Sequence, residues 1–311
     1  MSEVGSALQV GALAQSRPVE LLVAFAPGGL TDVVARIVGE VMARELAQPV
    51  VVKNVVGAGG NIAFSQLARA RSDGHTLGLL SLSAVTNSLL RPGGGYDPLT
   101  SFTPIGYIGT QPFVLLVNPT RFDAATVGQT IERLQANPGH FSYSSGGVGA
   151  PSHVLMEYFN ATHRLNVLHV PYNGQSAAVT AVLSGEVDMT LQTITGAEEL
   201  VRTGKLRALA VSGPRRIRIL PNVPTFAEVG VDGLDGSGWM GIVAPAGLAP
   251  AAESRFDDAW RRMTANVELQ QTLEARAVEV TFRNGAEFGH FMREDRRFWA
   301  SAIATAKVRL D

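Results

Sequence analysis

Cysteine is absent from this chain of 311 residues, which excludes disulfides, thiolate nucleophiles and thiolate-bound zinc. An excess of one charge is lacking too. With 26 Lys and Arg against 27 Asp and Glu, the formal charge is −1, so nothing points to nucleic acid or to an anionic membrane surface. No stretch approaches the ~20 apolar residues that span a bilayer. The six histidines fall in no metal-ligand spacing: there is no H-E-x-x-H, and His163 and His169 are too far apart for one helix face. Nucleotide motifs are missing as well. Gly204-Lys205 lacks the upstream glycine and the Ser/Thr of a P-loop, and after Gly57-Ala-Gly-Gly60 the third glycine of a dinucleotide fingerprint is replaced by Ile62. No metal and no cofactor is expected.

What is present is an alternation of strands and helices. Residues 19–25 form an apolar run that stops at Pro27-Gly28-Gly29, with a helical pattern starting behind Thr31. Such a strand, glycine turn and helix N-terminus brings backbone N–H groups close to a ligand and favours an anion. The turn holds no Lys or Arg, so an anion there is held by backbone and hydroxyl groups, with Phe25 as an apolar wall. An ordinary strand-to-helix connection has the same local signature.

The rhythm continues. Apolar Val34, Ile37, Val38, Val41 and Met42 share one face of a helix over 33–46, and Arg36, Glu40 and Arg44 another. Strands are expected at 49–52, 76–82, 113–117, 141–144, 167–170, 187–191, 206–211 and 239–244. Helices are expected at 61–70, 126–136, 152–161 and 176–184, the last stopped by Gly185. Ser81, Ser83 and Asn87 read as a polar loop. Thr195 with Glu198, and Thr225 with Glu228, have capping-box spacing. From Ala251 the chain reads as mostly helical. Alternating β and α with glycine-rich turns means parallel sheets covered by helices. The length suits two such lobes, with crossings near 111–117 and 239–244 forming a hinge beside a ligand cleft.

A second glycine-rich segment, Tyr143-Ser-Ser-Gly-Gly-Val-Gly-Ala-Pro-Ser-His153, repeats the strand, turn and helix start, with Pro151 at the first helical position. Ser144 and Ser145 offer hydroxyls, and Gly146, Gly147 and Gly149 allow close backbone approach. A nucleophile reading pairs Ser145 with His153, but no G-x-S-x-G elbow is present. Tyr172 is a pocket candidate or a turn aromatic. Asp188 is an acceptor for a ligand ammonium or a solvated acid at a strand edge.

Nine segments in one order, AFAPGGLTDVVAR, PVVVKNVVGAGGNIA, DGHTL, YDPLTSFTPI, NPGHFSYSSGGVGAPSH, HVPYNGQSAAVTAVLSGEVD, GKLRALAV, LPNVPTFAEVG and WMGIVAPAG, resemble the Bug receptors. These are the extracytoplasmic solute-binding proteins of tripartite tricarboxylate transporters. The resemblance covers residues 18 to about 299. It implies a type II periplasmic-binding-protein fold, with two α/β lobes that close without catalysis over a small carboxylate. The lobes are expected as 18–110 with 245–311, and 111–244, behind a leader or signal-peptide remnant at 1–17.

The ligand loops of the family are matched here by Phe25, Ala26, Gly28, Gly29, Thr31 and Asp32; by Ser81, Ser83 and Asn87; by Ser144, Ser145, Gly146, Gly149 and Ala150; and by Tyr172 and Asp188. Water often bridges one ligand carboxylate to the first and third of these loops in that family. The chain departs from the pattern at Ala24 (usually Pro), Lys53 (Glu), Val55-Val56 (Arg-Pro), near Ala150 (Thr) and at Gln192 (often an acid). For an amino dicarboxylate such as aspartate or glutamate, only Asp32 or Asp188 offers an ionised acceptor to the ammonium; a C4–C6 dicarboxylate needs none. The expected protein is a periplasmic monomer that delivers its ligand to membrane transporter subunits or a sensor domain. The alternative is an enzyme on the same scaffold acting on a small carboxylic acid.

Overall fold

The computed structural model describes residues 17–309, so the leader expected at 1–17 lies, Arg17 apart, outside the described residues. Three parallel strands open the fold: β1 (Val19–Val23), β2 (Val50–Asn54) and β3 (Thr76–Ser81), with β1 between the other two. They are connected by helices α1 (Leu30–Leu46) and α2 (Asn61–Ala68). After α3 (Leu82–Leu90) comes β4 (Phe102–Val117), the longest strand of the described residues. The second set follows: α4 (Val127–Ala136), β5 (Ser142–Ser145), α5 (Pro151–His163), β6 (Leu168–Pro171), α6 (Gln175–Ser184), β7 (Met189–Thr193), α7 (Glu198–Arg202) and β8 (Arg207–Val211). The chain then closes with β9 (Ser237–Pro245), α8 (Pro250–Thr264), α9 (Val267–Glu274), β10 (Glu279–Asn284) and α10 (Gly285–Ala306).

The strand order is β2-β1-β3-β9-β4-β7-β5-β6, with β8 and β10 also paired to β4. β4 therefore belongs to two sheets. Its first part, Phe102–Pro112, pairs antiparallel with β9, and its last part, Phe113–Val117, pairs antiparallel with β7. The segment expected as a return crossing, 239–244, is paired along its length with β4, and its residues 240–243 with β3 as well. The core follows the apolar pattern of the sequence. Val34, Val38 and Met42 of α1 pack with Leu21 and Val23 of β1 and with Phe256, Trp260 and Met263 of α8. A second cluster runs through β4 from Tyr107 to Val117 and takes in Phe288 and Trp299 of α10.

Several local expectations change. The polar segment expected as a loop is not one: Ser81 ends β3, and Ser83 and Asn87 lie in α3, because Leu82, Ala84 and Val85 are buried on one side and their packing outweighs the modest helix propensity of Ser, Thr and Asn. The Thr195–Glu198 capping box does not form: α7 starts behind Ala197 with no side-chain cap, and the Thr195 hydroxyl is buried without a partner. The Thr225–Glu228 box does form, with Thr225 N donating to Glu228 Oε2 at 2.9 Å and Glu228 N to Thr225 Oγ1 at 3.1 Å. It opens only a short 3-10 turn, Ala227–Val229. β10 interrupts the helical C-terminal region, and β4 begins eleven residues before the apolar run at 113–117. Pro104, Gly106 and Gly109 mask that first part, and the register shifts beside them are bulges.

Gly109 is held at its position by sterics, since a Cβ there would run into the carbonyl of Glu279 on β10. Backbone on a paired strand has little room to move. Gly109→Ala is expected to lower stability by about 3 kcal/mol, read as a lower urea midpoint, whereas the same change at open Gly93 meets only the strain of its positive φ.

Candidate ligand cleft between the two sheets

Strand direction brings the loops together. β3 and β4 are each antiparallel to β9 and so run the same way, while β7 runs against β4. The parallel strands of the first set thus point their C-terminal ends at those of the second. The register gives the gap. Ser81, the last residue of β3, is level with Met240 and hence with Gly109 of β4, and Thr193, the last of β7, is level with Phe113. Four residue steps along β4 separate the two levels, about 13 Å. Ligands of open α/β sheets bind at such carboxyl ends.

The helices that open onto this gap have bare N-termini. Gly29, Gly60, Ser81, Ala150 and Gly174 stand before α1, α2, α3, α5 and α6, and none makes a side-chain cap. Thr126 on α4, Asn266 on α9 and Asn284 on α10 do cap their helices, whereas α7 and α8 start behind Ala197 and Ala249 without a side-chain cap. Ser81 is the informative case. Serine is a favoured cap, yet its hydroxyl does not cap α3 and is buried without a partner. Uncapped N–H groups with the positive helix end form an anion site that needs no cationic side chain.

In the first loop Gly28 has φ of +83° with open space around it, and Ala26 and Gly29 are exposed while Phe25 and Thr31 are half-buried. Asp32 fixes this turn. Its carboxylate accepts Gly28 N at 2.9 Å, Arg36 Nε at 3.0 Å, Arg36 Nη2 at 2.9 Å and Asn54 Nδ2 at 2.9 Å. The Arg36 bonds are the largest cause that brings its pKa down to about 2, against the opposing effect of burial. That preference for the charged form is worth about 1–2 kcal/mol to the fold at neutral pH. With four bonds in place its acceptor sites are full, so the expected role as an ammonium acceptor is not available to it. Asn54, which also donates to Phe25 O at 2.9 Å, is a part of this turn that the sequence reading missed; the end of a short strand carries no signal for it.

Asn87 donates to Gly59 O at 2.9 Å and ties α3 to the Gly57–Gly60 turn, while Ser83 is half-buried on α3. Across the gap, the two serine hydroxyls expected as ligand donors are already engaged. Ser144 Oγ donates to Ala178 O at 2.8 Å, and Ser145 Oγ lies 2.7 Å from His169 Nε2. His169, not His153, is the partner of Ser145. His153 Nδ1 instead accepts Gly149 N at 3.0 Å, and its ring stacks on His169 at 4.0 Å. Gly146 N donates to Ser152 Oγ at 3.3 Å, which also receives Gln192 Nε2 at 3.2 Å. Gln192 thus braces the turn from the position where an acid was noted as usual. Gln175 Nε2 donates to Thr193 O at 2.7 Å and joins the start of α6 to the end of β7. Ala150 is half-buried at the start of α5.

Asp188 and Tyr172 are placed differently from the other expected residues. Asp188 precedes Met189, which is level with Val117 at the far end of β4. It lies five strand residues from Thr193, about 16 Å, and its carboxylate accepts Ser142 N at 2.9 Å and Ser142 Oγ at 3.1 Å. Tyr172 sits behind β6 with its N–H on Ser145 O at 3.0 Å, so its backbone is at the cleft. Its hydroxyl is buried, and that burial, then the neighbouring Glu186, pushes its pKa up to about 12.

The stacked histidines make the second turn sensitive to acid. Burial, then the adjacent His169, brings His153 down to about 4, and burial lowers His169 as well. Both are neutral in the fold, so their contribution is intact above the ordinary value near 6.5 and is lost as pH falls toward 4. Wild-type protein is expected to lose about 2 kcal/mol between pH 7 and 4 beyond what His153→Gln loses. Urea unfolding at stepped pH checks this, and parallel curves for the two proteins are the opposing result.

Residues 34–307 match the family described as the tripartite tricarboxylate transporter family receptor. Protein BugT of Bordetella pertussis is 35% identical over 269 residues, 86% of this chain and 79% of that protein. Among solved structures, R. palustris Rpa4515 with adipate superposes with a TM-score of 0.84 at 26% identity, over 94% of this chain and 98% of that one. MatC of Rhodopseudomonas palustris with bound malate gives a TM-score of 0.79 at 27% identity, over 92% and 99%. This chain belongs to the tripartite tricarboxylate transporter receptor family, the Bug-type solute-binding proteins.

Proposed function

We propose that this protein captures a small dicarboxylate without an amino group between its two lobes and delivers it, unchanged, to the membrane subunits of a tripartite transporter. The carrying observation is the set of uncapped helix N-termini at the gap, with the Ser81 hydroxyl buried and unpartnered among them. A dicarboxylate presents one anionic group to each lobe, and closure follows if both are bound better in the closed form. An amino dicarboxylate such as aspartate or glutamate is less well served, because Asp32 is saturated by internal partners and Asp188 lies at the far end of β7 with its Oδ2 taken by Ser142. The relatives that hold adipate and malate support this class.

Turnover is the weaker reading. Ser145 has a histidine at 2.7 Å but is 0% exposed, so a substrate carbonyl has no approach to it. Among the described residues no helix is long and apolar enough to cross a membrane, which suits a periplasmic carrier. The cleft loops expected from the sequence, Phe25 to Asp32, Ser81 to Asn87 and Ser144 to Ala150, are taken as the contact set, acting mainly through backbone.

The test is calorimetry on ligand-stripped protein with adipate, malate, succinate, aspartate and glutamate, followed by mass analysis of the recovered ligand. A saturable signal is expected for the plain dicarboxylates and unchanged acid afterwards. Ser81→Ala is expected to weaken binding tenfold or more, as for a lost bond to a charged group, worth about 1.5–3 kcal/mol. Binding confined to aspartate and glutamate overturns the dicarboxylate assignment.

A further inference from the structure

A second cavity lies on the face of β4 at the hinge. It has a volume of about 310 Å³, room for about ten water molecules at ~30 Å³ each. One wall is Tyr107 and Thr110 of β4 with Glu279, Thr281 and Arg283 of β10; the other is the segment leaving β8, with Arg215 and Arg216. The cavity is therefore bounded by the first sheet on one side and by chain leaving the second sheet on the other, beside the crossing at Pro112.

Its polar groups are incompletely matched. Tyr107 is 0% exposed, yet its hydroxyl has no hydrogen-bond partner. Arg283 stands with its guanidinium 5.1 Å from the Tyr107 ring and 5.1 Å from the Phe291 ring, a stacking that orients the cation without neutralising it. Among the described residues neither Arg283 nor Arg215 has a carboxylate partner. Arg216 is paired with Glu228 at 2.8 Å, and Glu279, the acid of the lining, accepts Arg218 N at 3.1 Å. The residues lining the cavity thus carry two guanidinium groups without a carboxylate partner, one buried hydroxyl without a hydrogen bond, and a single carboxylate that is already hydrogen-bonded.

We infer that this cavity is a second ligand site, separate from the cleft, that takes a small oxyanion with carboxylate or phosphate groups. Guanidinium groups match both through paired N–H donors, and the Tyr107 hydroxyl supplies a neutral donor. An occupant touches both walls and so braces the hinge.

Calorimetric titration of inorganic phosphate and of citrate, at constant ionic strength in chloride, tests the assignment on wild type, Arg283→Gln, Arg215→Gln and Ser81→Ala. Arg215 is exposed, so its variant keeps the test valid if Arg283→Gln disturbs the fold. One saturable equivalent is expected, weakened at least tenfold in a guanidinium variant and unaltered in Ser81→Ala. Response to citrate alone assigns carboxylate, to phosphate alone phosphate, and to both a general oxyanion site. No saturable heat with either anion overturns the inference. So does equal affinity in the arginine variants, or loss in Ser81→Ala, which would put the anion in the cleft.

Discussion

One strand serves both halves of the molecule, and the rest of the architecture follows from it. β4 pairs through Pro112 with β9 and from Phe113 with β7. Because the parallel strands of the first set run with β4 and those of the second run against it, their C-terminal ends meet at the change of partners. Helix N-termini follow those ends, so their positive poles converge on one gap about 13 Å wide. Bulges at Gly106 and Gly109 let the same strand curve under Trp260 and β10. A chain that must cross twice at this point is also free to bend there.

The second constraint is where the charges are placed. An anion receptor usually has an arginine or lysine at its centre, but here the nearby Arg36 of α1 is committed to Asp32. Asp32 in turn fixes Gly28 and Asn54. The acid and base neutralise each other while holding the turn open, and the free N–H groups remain for a ligand. On the other side Ser144, Ser145, Ser152, His153 and Gln192 serve the same purpose. Their hydroxyls, ring nitrogens and amide are engaged within the lobe, Ser144 on Ala178 of α6 and the others around the glycine turn. In the proposed reading, side chains set the frame and the backbone provides the receptor.

This division explains what was legible in the sequence. The glycine turns at 28–29 and 146–149, Pro151 as a first helical residue and the alternation of apolar strands with amphipathic helices all reflect local backbone demands, which local sequence records. The role of each hydroxyl does not. Whether Ser145 faces a ligand or His169 depends on β6, which comes 23 residues later. Asp188 read as a strand end because Val187 starts the apolar run, yet pairing of Met189 with Val117 puts it at the far edge. Helix α3 was hidden by its Ser, Thr and Asn content, and the first part of β4 by Pro104 and two glycines. In both cases burial against distant elements decided the outcome.

The most direct test follows the backbone amides themselves. Nitrogen–proton correlation spectra during an adipate titration should show the largest shifts at the amides of residues 29–32 and of Gly149, Ala150, Ser152 and His153, on opposite sides of the gap, with smaller changes at Gln111 and Phe113 as the hinge bends. Shifts at the backbone amides of Asp32 and Asp188 alone, with the other helix amides quiet, or shifts confined to one lobe, would contradict an anion held between two bare helix ends.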